Sequence, residues 1–265
     1  MNTPEEAWMR SMKNESYGDE IFNEHGSPVG HPHFMKCVEL NNISRENRDK
    51  FWGLSEFTGS MLHGETLALV NYFASISTGT ILEIGAFTGG ATVSAGLGLT
   101  ERSENKSTII SIEAGSKMGE WIADPGAMAD SWRAKYPTGL PSKEIFSILN
   151  NNIKTYNLEE RVDLVEGRSG DVDVLEKITP TLEKEPIGLL IIDADGNVAR
   201  DLNIYLQYVR KGGYLVIDDY VMRSHYKGIA DKATQAQETI HGLVNYGVAR
   251  SLGVYPWGTW FGQKL

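Results

Sequence analysis

The chain has 265 residues, a formal net charge of −10 and a sequence pI near 5.1. This acidic balance argues against a nucleic-acid partner, because phosphate binding needs a basic surface. The single cysteine, Cys37, excludes an intramolecular disulfide and is typical of a reducing compartment. No apolar run approaches the roughly 18 residues that span a membrane, and the acidic start MNTPEEAW is unlike a signal peptide. We therefore expect a cytoplasmic protein without a membrane or nucleic-acid partner.

The first part of the chain, residues 1–57, is polar and differs from the remaining sequence. We interpret it as an N-terminal extension that forms a lid or a dimer contact, and we place the main domain at 58–265. The extension carries three histidines that invite a metal interpretation, namely His25, His31 and His33. We favour a solvated loop over a ligand set for them.

The rest of the chain alternates between helical and strand patterns. Amphipathic periodicity predicts helices near 61–74, 143–156 and 229–244. Another predicted helix carries Leu202 to Val209 and stops at Lys211-Gly212-Gly213, a signal for a helix C-terminus. Apolar runs of strand length predict five buried strands, at 81–84, 108–113, 161–166, 187–192 and 214–217. Two short strands, near 247–253 and 259–263, close as an antiparallel hairpin. The alternation predicts an α/β fold with a doubly wound, mostly parallel sheet of seven strands whose last strand is antiparallel.

A glycine-rich turn comes after the first predicted strand. From Thr80 to Val93 the sequence reads TILEIGAFTGGATV, which predicts a strand, a turn and then a helix. Glycines in such a turn let backbone N–H groups approach a ligand at the helix N-terminus. The spacing Glu83-x-Gly85-x-x-x-Gly89 differs from the G-x-G-x-x-G of dinucleotide folds. An ordinary strand-to-helix turn without a ligand is the alternative interpretation.

The turn resembles the first motif of the class I S-adenosylmethionine-dependent methyltransferases. Its wording, EIGAFTGG, is especially similar to the metal-dependent O-methyltransferases of the catechol and caffeoyl-CoA type. The resemblance implies a Rossmann-like methyltransferase sheet with S-adenosylmethionine bound where the strands end. The cofactor-binding residues that we predict on this basis are Glu83, Gly85, Ala86, Phe87, Thr88, Gly89, Glu113, Ser169 and Asp193.

The unusual polar residues lie at the ends of the predicted strands, one strand after another. Ligands of open α/β sheets bind outside these carboxyl ends, near the switch in strand order. Glu113 ends the second strand, where a carboxylate can accept both hydroxyl hydrogens of a ribose. Ser169 comes after the third strand, and the resemblance places it against the adenine ring. The chain departs from the catechol-type enzymes at Gly90-Ala91, where they often carry Tyr-Ser.

Three aspartates at strand ends, Asp193, Asp218 and Asp219, predict a site for Mg²⁺ or another divalent cation. Carboxylates are the hard oxygen ligands that such ions prefer, and crowded negative charge is unfavourable without a cation or protonation. The alternative is that these aspartates cap helix N-termini. The resemblance supports the metal set, because the family has an aspartate after the fourth strand and a pair after the fifth.

The resemblance also bears on the proton acceptor. The catechol and caffeoyl-CoA enzymes have a lysine three residues beyond the first aspartate, where this chain has Gly196. The Asp193-x-Asp195 pattern and the double aspartate are closer to the macrocin-type sugar O-methyltransferases, in which the second acid is a reasonable base. Asp195 is therefore the predicted base, with His225 as a substitute.

The resulting hypothesis is methyl transfer from S-adenosylmethionine to a hydroxyl of a small molecule, a sugar or a catechol-like natural product. A bound divalent ion would lower the pKa of that hydroxyl and orient it. The alternatives are a metal-independent methyltransferase of another acceptor atom, a cephalosporin hydroxylase-like protein and a non-catalytic cofactor-binding subunit. Family habit implies a homodimer. Five aromatic side chains could line an acceptor pocket, but we interpret them as core or dimer-contact residues: Trp8, Trp52, Trp121, Trp132 and Tyr220.

Overall fold

Three helices precede the first strand in the computed structural model, which describes residues 36–101, 107–119, 122–123, 130–220, 230–255 and 258–265. They are α1 (Val38–Glu46), α2 (Arg48–Thr58) and α3 (Gly64–Ile76). The part of the predicted extension from 36 to 57 is thus mostly helical. Its side chains Leu40, Phe51 and Leu54 are buried in the core beside α3.

After α3 the chain alternates between strands and helices. In chain order the elements are β1 (Thr80–Ile84), α4 (Gly90–Thr100), β2 (Ile109–Glu113), β3 (Ile122–Ala123), α5 (Asp130–Lys135), β4 (Leu140–Pro141), α6 (Ser142–Thr155), β5 (Val162–Glu166), α7 (Val172–Lys184), β6 (Ile187–Ile192), α8 (Val198–Tyr205), β7 (Val209–Ile217), α9 (Ala230–Asn245), β8 (Ala249–Tyr255) and β9 (Thr259–Lys264). Short 3₁₀ helices occupy Gly115–Met118 and Leu206–Tyr208. Within these described ranges, no helix is long and apolar enough to cross a membrane.

Seven strands form one sheet in the order β5-β2-β1-β6-β7-β9-β8. The neighbours from β5 to β7 pair in parallel, whereas β9 pairs antiparallel to both β7 and β8. The chain therefore enters the sheet at β1, in its middle. It winds outward through β2 to β5, and then returns to the other side of β1 with β6. This topology confirms the predicted doubly wound α/β sheet with an antiparallel last strand, and it places the switch in strand order between β1 and β6.

Helices cover both faces of the sheet, which explains why the central strands are apolar at nearly every position. Successive side chains of a strand point to opposite faces. Ile81 accordingly packs in one core cluster with Phe73 of α3, and Leu82 packs in the other cluster with Leu202 of α8. A strand buried on both faces has no polar side, and this is the pattern by which the sequence predicted it.

One helix end differs from the prediction. The helix expected to reach Val209 and stop at Lys211-Gly212-Gly213 ends at Tyr205, and Val209 already begins β7. Val209 pairs with Ile187, and the register then shifts before Leu189 pairs with Tyr214. The glycines lie in this irregularity, where Gly212 adopts a φ of +77°. Strand pairing therefore outweighs the local helix-stop signal.

Candidate functional site

The site is built around the contact between the ends of β1 and β6. The N–H of Asp193 donates to the carbonyl of Ile84 at 2.9 Å, which holds the two chain segments together just past the strands. Gly85 adopts a φ of +87°, and a Cβ there would lie 1.9 Å from the carbonyl oxygen of Asp193. Only glycine therefore allows this approach.

The turn after β1 is also fastened to β2. The N–H groups of Gly85 and Ala86 both donate to the carbonyl of Ile112, at 2.9 and 3.2 Å. Phe87 has a positive φ of 48°, which is uncommon for a residue with a side chain. Gly89, with a φ of +94°, is the N-cap of α4 and has no side chain to satisfy the first amides of that helix. The helix N-terminus therefore faces the edge of the sheet with its amides available to a ligand.

Thr88, a predicted cofactor contact, is completely buried. Its hydroxyl has no hydrogen-bond partner among the described residues, whereas its carbonyl accepts a bond from the Asn152 side chain at 2.8 Å. The carbonyl contact anchors the turn to α6. The unpaired hydroxyl is a polar group at the turn that a bound ligand can satisfy.

Glu113, at the end of β2, holds the turn through both of its carboxylate oxygens. Oε2 accepts from the N–H of Phe87 at 2.6 Å, and Oε1 accepts from the N–H of Gly115 at 2.8 Å. Burial raises the pKa of Glu113, and the hydrogen bonds from these amides oppose the rise. Each oxygen of a carboxylate has two lone pairs, so both can still accept a ligand hydroxyl.

Glu83 lies inside β1 and is buried on all sides. Its Oε2 accepts hydrogen bonds from the hydroxyls of Thr92 at 2.5 Å and Ser111 at 2.7 Å. Burial raises the pKa of Glu83 from 4.5 to about 7, although both hydroxyls oppose the rise. This carboxyl therefore ties α4 and β2 to β1 beneath the turn.

The raised pKa of Glu83 predicts a specific pH dependence of stability. The folded protein retains a proton that the unfolded chain releases as the pH rises from 4.5 to about 7. The contribution of this proton is present below the unfolded pKa and is lost as the pH rises through the folded pKa. Between about pH 5 and pH 8 we expect the wild type to lose about 3 kcal/mol of unfolding free energy that Glu83→Gln does not lose.

Urea unfolding of both proteins at the two pH values measures this difference. Glu159→Gln is the matched control, because Glu159 is exposed and its replacement should leave the pH slope as in the wild type. Equal slopes for Glu83→Gln and the wild type would mean that Glu83 stays ionised in the folded protein.

A shallow cavity, with about 240 Å³ of space when open solvent is included, lies beside the turn. Its lining includes most of the predicted turn residues and one strand-end acid, namely Glu83, Gly85, Ala86, Phe87 and Asp193, together with Ala91. Much of this space is open to solvent, so the cavity marks a place against which a ligand can lie and does not enclose one. The opposite wall of the cavity consists of Ser60, Met61 and Leu62, from the loop between α2 and α3. The sequence patterns did not predict that these residues contribute to the site.

The only sequence signal for this wall was Gly90. A Cβ on Gly90 would lie 2.3 Å from Oγ of Ser60, so the second glycine of the turn makes room for the loop. Ser60 in turn accepts a hydrogen bond from the N–H of Leu62 at 3.1 Å. The departure at Gly90 from the catechol-type pattern is therefore a packing requirement of the α2–α3 loop.

The three predicted metal ligands lie at the ends of β6 and β7. Burial raises the pKa of Asp193 well above its ordinary value, and the neighbouring charges of Asp218 and Asp219 add to the rise. Burial and the charge of Asp219 raise the pKa of Asp218 to about 7, although Thr259 donates a hydrogen bond of 2.5 Å to its Oδ1. In this acid cluster, formed by Asp193, Asp218 and Asp219, desolvation and like charge therefore favour the protonated carboxyls.

A lysine from α9 reaches this cluster. Nζ of Lys232 lies 3.6 Å from Oδ2 of Asp219 and donates to the carbonyl of Ala194 at 3.1 Å. Burial raises the pKa of Asp219, and the charge of Lys232 opposes the rise. In the part of the chain that the structure describes, no three His, Cys, Asp or Glu side chains are grouped as metal ligands.

Asp195, the predicted base, is held in an ion pair. The guanidinium of Arg200 donates to its Oδ2 at 2.7 Å and to its Oδ1 at 3.1 Å, and the N–H of Asn197 donates to Oδ1 at 3.0 Å. Burial raises the pKa of Asp195, but these hydrogen bonds outweigh burial and hold the pKa below its ordinary value. The carboxylate is therefore ionised and well oriented, and it is a weaker proton acceptor than a free one.

Ser169 is connected to Asp195 through Arg200. The hydroxyl of Ser169 donates to Oδ1 of Asp201 at 2.5 Å, and Nε of Arg200 donates to the same oxygen at 2.9 Å. Ser169 is buried, and its hydroxyl is engaged in this hydrogen bond to Asp201. The network joins the turn after β5 to the turn after β6.

The remaining predicted residues divide into core residues and residues outside the description. Trp132 and Tyr220 are buried in the hydrophobic core, whereas Trp52 is 47% exposed on α2. His225, the substitute base, lies outside the described residues, as do Trp8 and Trp121.

Comparison with known proteins identifies the family to which the chain belongs. The sequence model of a family described as "Methyltransferase domain" matches residues 82–220, which is more than half of the chain. The match runs from β1 to the residue after the paired aspartates and so includes the turn, Glu113 and all three acids of the cluster. A curated relative, "Uncharacterized protein R132" of Acanthamoeba polyphaga mimivirus, is 46% identical over 50 residues. That match covers 17% of this chain and only 23% of the relative's length.

Several solved structures share the fold. The O-methyltransferase NovP has a TM-score of 0.56 at 15% identity, over 86% of this chain and 98% of NovP. The O-methyltransferase TomG from Streptomyces achromogenes, involved in tomaymycin synthesis and solved with S-adenosylmethionine, has a TM-score of 0.51 at 14% identity, over 91% and 97%. A putative caffeoyl-CoA O-methyltransferase from Staphylococcus aureus has a TM-score of 0.51 at 14% identity, over 97% and 96%. At these identities the likeness is one of fold.

Proposed function

The chain belongs to the methyltransferase domain family and is a class I S-adenosylmethionine-dependent methyltransferase, and from this premise we propose that it methylates a hydroxyl oxygen of a small molecule. The observation that carries the proposal is the cavity at the switch point of the sheet. The glycine turn, a buried glutamate and Asp193 line this cavity together, and Glu113 lies directly behind Phe87.

The residues of this edge fit the chemical groups of S-adenosylmethionine. The free lone pairs of Glu113 suit the two ribose hydroxyls, and the amides at the start of α4 suit the methionine carboxylate. The orphaned hydroxyl of Thr88 lies in the same turn. When bound, the cofactor supplies a methyl group that its positively charged sulfur has already activated. The protein's main task is then to align the acceptor oxygen with that methyl carbon.

The acceptor hydroxyl must lose its proton during transfer. We propose that Asp195 takes this proton, because it lies just after β6 at the same edge and its carboxylate is ionised. The ion pair with Arg200 fixes the direction of the carboxylate and lowers its basicity at the same time. A sugar or a catechol-like natural product remains the proposed acceptor class. Proteins with the same fold that are described as O-methyltransferases support an oxygen acceptor.

A divalent cation at Asp193, Asp218 and Asp219 was part of the sequence-based hypothesis. As arranged, these residues do not fit one. Oδ1 of Asp218 is engaged by Thr259, and the ammonium of Lys232 lies beside Asp219, where it would repel a second cation. We therefore derive no step through a metal ion. The proposed transfer to a hydroxyl is accordingly metal-independent, which the position of Lys232 favours, and a metal-dependent transfer is the second candidate.

The proposal is tested by calorimetric titration with S-adenosylmethionine and by release of S-adenosylhomocysteine in the presence of candidate acceptors. Both measurements are made with Mg²⁺ and after chelation. We expect cofactor binding in both conditions. Failure to bind the cofactor in either condition would contradict the proposed function. Turnover that requires restored Mg²⁺ would support the metal-dependent candidate, and turnover that survives chelation would support the metal-independent transfer.

The role of Asp195 is separable in the same assay. Asp195→Asn should keep cofactor affinity and lower kcat by at least about 100-fold, the size typical for loss of a general base. Asp163→Asn is the matched control, because Asp163 lies on β5 and forms an exposed ion pair with Lys177 of α7. Loss of cofactor binding in Asp195→Asn would assign Asp195 to the architecture of the site and not to proton transfer.

A further inference from the structure

Lys232 crosses from α9 into the acid cluster along a defined path. Its Cγ lies 2.3 Å from the position that a Cβ on Gly196 would take, so its aliphatic stem passes directly over that glycine. Any side chain at position 196 would displace the lysine. Glycine at position 196, in the turn after β6, is therefore what leaves room for the side chain of Lys232.

The head of Lys232 is fixed at the cluster. It donates to the carbonyl of Ala194, between Asp193 and Asp195, and its distance to Oδ2 of Asp219 is within ion-pair range. The side chain of Lys232 is about one-third exposed and that of Asp219 about one-fifth, so the pair is less screened than a surface pair. The position is thus that of a cation held between the ends of β6 and β7.

Arg200, another cationic group that the structure describes at this edge, is already committed. Arg200 donates to both oxygens of Asp195 and to both oxygens of Asp201, on the far side of the turn. Lys232, by contrast, reaches both strand ends, since its Nζ contacts Asp219 after β7 and the backbone beside Asp193 after β6. The N–H of Asp218 donates to the carbonyl of Ile192 at 3.0 Å, which holds these two strand ends side by side. Neighbouring acids in a desolvated setting are stabilised by protonation or by a positive charge, and the ammonium of Lys232 supplies such a charge.

We propose that Lys232 is the built-in counter-ion of the Asp193–Asp218–Asp219 cluster, occupying the role that a divalent cation would otherwise have. The lysine acts as a positioning residue, because it orients the acids at the edge of the cofactor cavity and touches no reacting atom. The proposal does not depend on the identity of the acceptor. It predicts that removing the ammonium of Lys232 raises the affinity of the acid cluster for a divalent cation.

The test uses the full-length protein and the paramagnetic ion Mn²⁺, whose free concentration is followed by electron paramagnetic resonance. Lys232→Met keeps a stem of similar length over Gly196 and removes the charge. We expect this variant to gain saturable Mn²⁺ binding, at least about tenfold tighter than in the wild type, because the carboxyls have lost their counter-ion. Lys232→Arg should behave as the wild type, since it restores the charge.

Two controls locate the effect. Lys177→Met removes a surface lysine whose ion pair with Asp163 is half exposed, and it should gain no Mn²⁺ binding. Adding Asp218→Asn to Lys232→Met should abolish the gained binding. A gain that survives Asp218→Asn would place the new site elsewhere and overturn the proposal.

Two further outcomes would overturn the proposal. One is tight Mn²⁺ binding by the wild type that Lys232→Met leaves unchanged, and the other is folded Lys232→Met that binds no Mn²⁺. If Lys232→Met does not fold, the wild type and Lys232→Arg decide, because strong Mn²⁺ binding by both contradicts an occupied cluster and absence of binding supports it. Cofactor titration of the same samples keeps the two hypotheses apart, since loss of S-adenosylmethionine binding in the wild type counts only against the proposed function.

Discussion

Replacing Gly85 with alanine is expected to abolish binding of S-adenosylmethionine and to lower the free energy of unfolding by at least about 3 kcal/mol. The added Cβ would lie 1.9 Å from the carbonyl oxygen of Asp193 and 2.6 Å from its carbonyl carbon, so β1 and β6 must separate at the switch point. Both contacts are with backbone, which cannot rotate away as a side chain can. The positive φ of Gly85 adds strain of its own.

Urea unfolding and calorimetric titration measure the two effects of Gly85→Ala. Gly247→Ala is the matched control, because Gly247 has a φ of +68° and no atom within 4 Å of an added Cβ. The control carries only the conformational cost, about 1 kcal/mol, and should bind the cofactor normally. Equal destabilisation of the two variants would show that the contact with Asp193 adjusts at little cost.

Replacing Glu113 with glutamine is expected to weaken S-adenosylmethionine binding by at least about tenfold. Glutamine keeps the shape of the side chain but turns one acceptor oxygen into an NH₂ donor. That group would face the N–H of Phe87 or of Gly115, so the turn loses one of its two anchors. One ribose hydroxyl also loses its acceptor.

Glu166→Gln provides the control for this change. Glu166 ends β5 directly opposite Glu113 in the register, yet its side chain is exposed. Its replacement removes the same charge from the same edge without touching the turn, and cofactor affinity should stay within about twofold of the wild type. If the two variants bind the cofactor equally well, Glu113 does not contact the ribose.

The fold was predictable because its central strands are buried on both faces. Such strands read as continuous apolar runs, and parallel strands need the intervening helices that the periodicity indicated. Prediction failed at Val209, where strand pairing with Ile187 overrides a local glycine signal for the end of a helix. Pairing between segments distant in sequence is not encoded in either segment alone.

The candidate site was predictable only where its residues lie at or directly after strand ends. Gly85, Glu113 and Asp193 are of this kind, and the structure places them at one edge of the sheet. Lys232 and the 60–62 wall come from a helix and a loop whose approach depends on packing in three dimensions. Two glycines were the signals for them in the sequence, since Gly196 lies beneath Lys232 and Gly90 lies beneath Ser60.

The wall at residues 60–62 has a consequence for the order in which the protein becomes complete during synthesis. This wall leaves the ribosome before β1, whereas the opposite side of the cavity, Asp193, emerges only after β6. A nascent chain that ends before β6 has the loop and the glycine turn but no closed cavity between them. A ligand that binds only the closed cavity stabilises molecules that have already assembled the centre of the sheet. A cofactor that binds there is therefore expected to stabilise only chains that have been synthesised beyond β6.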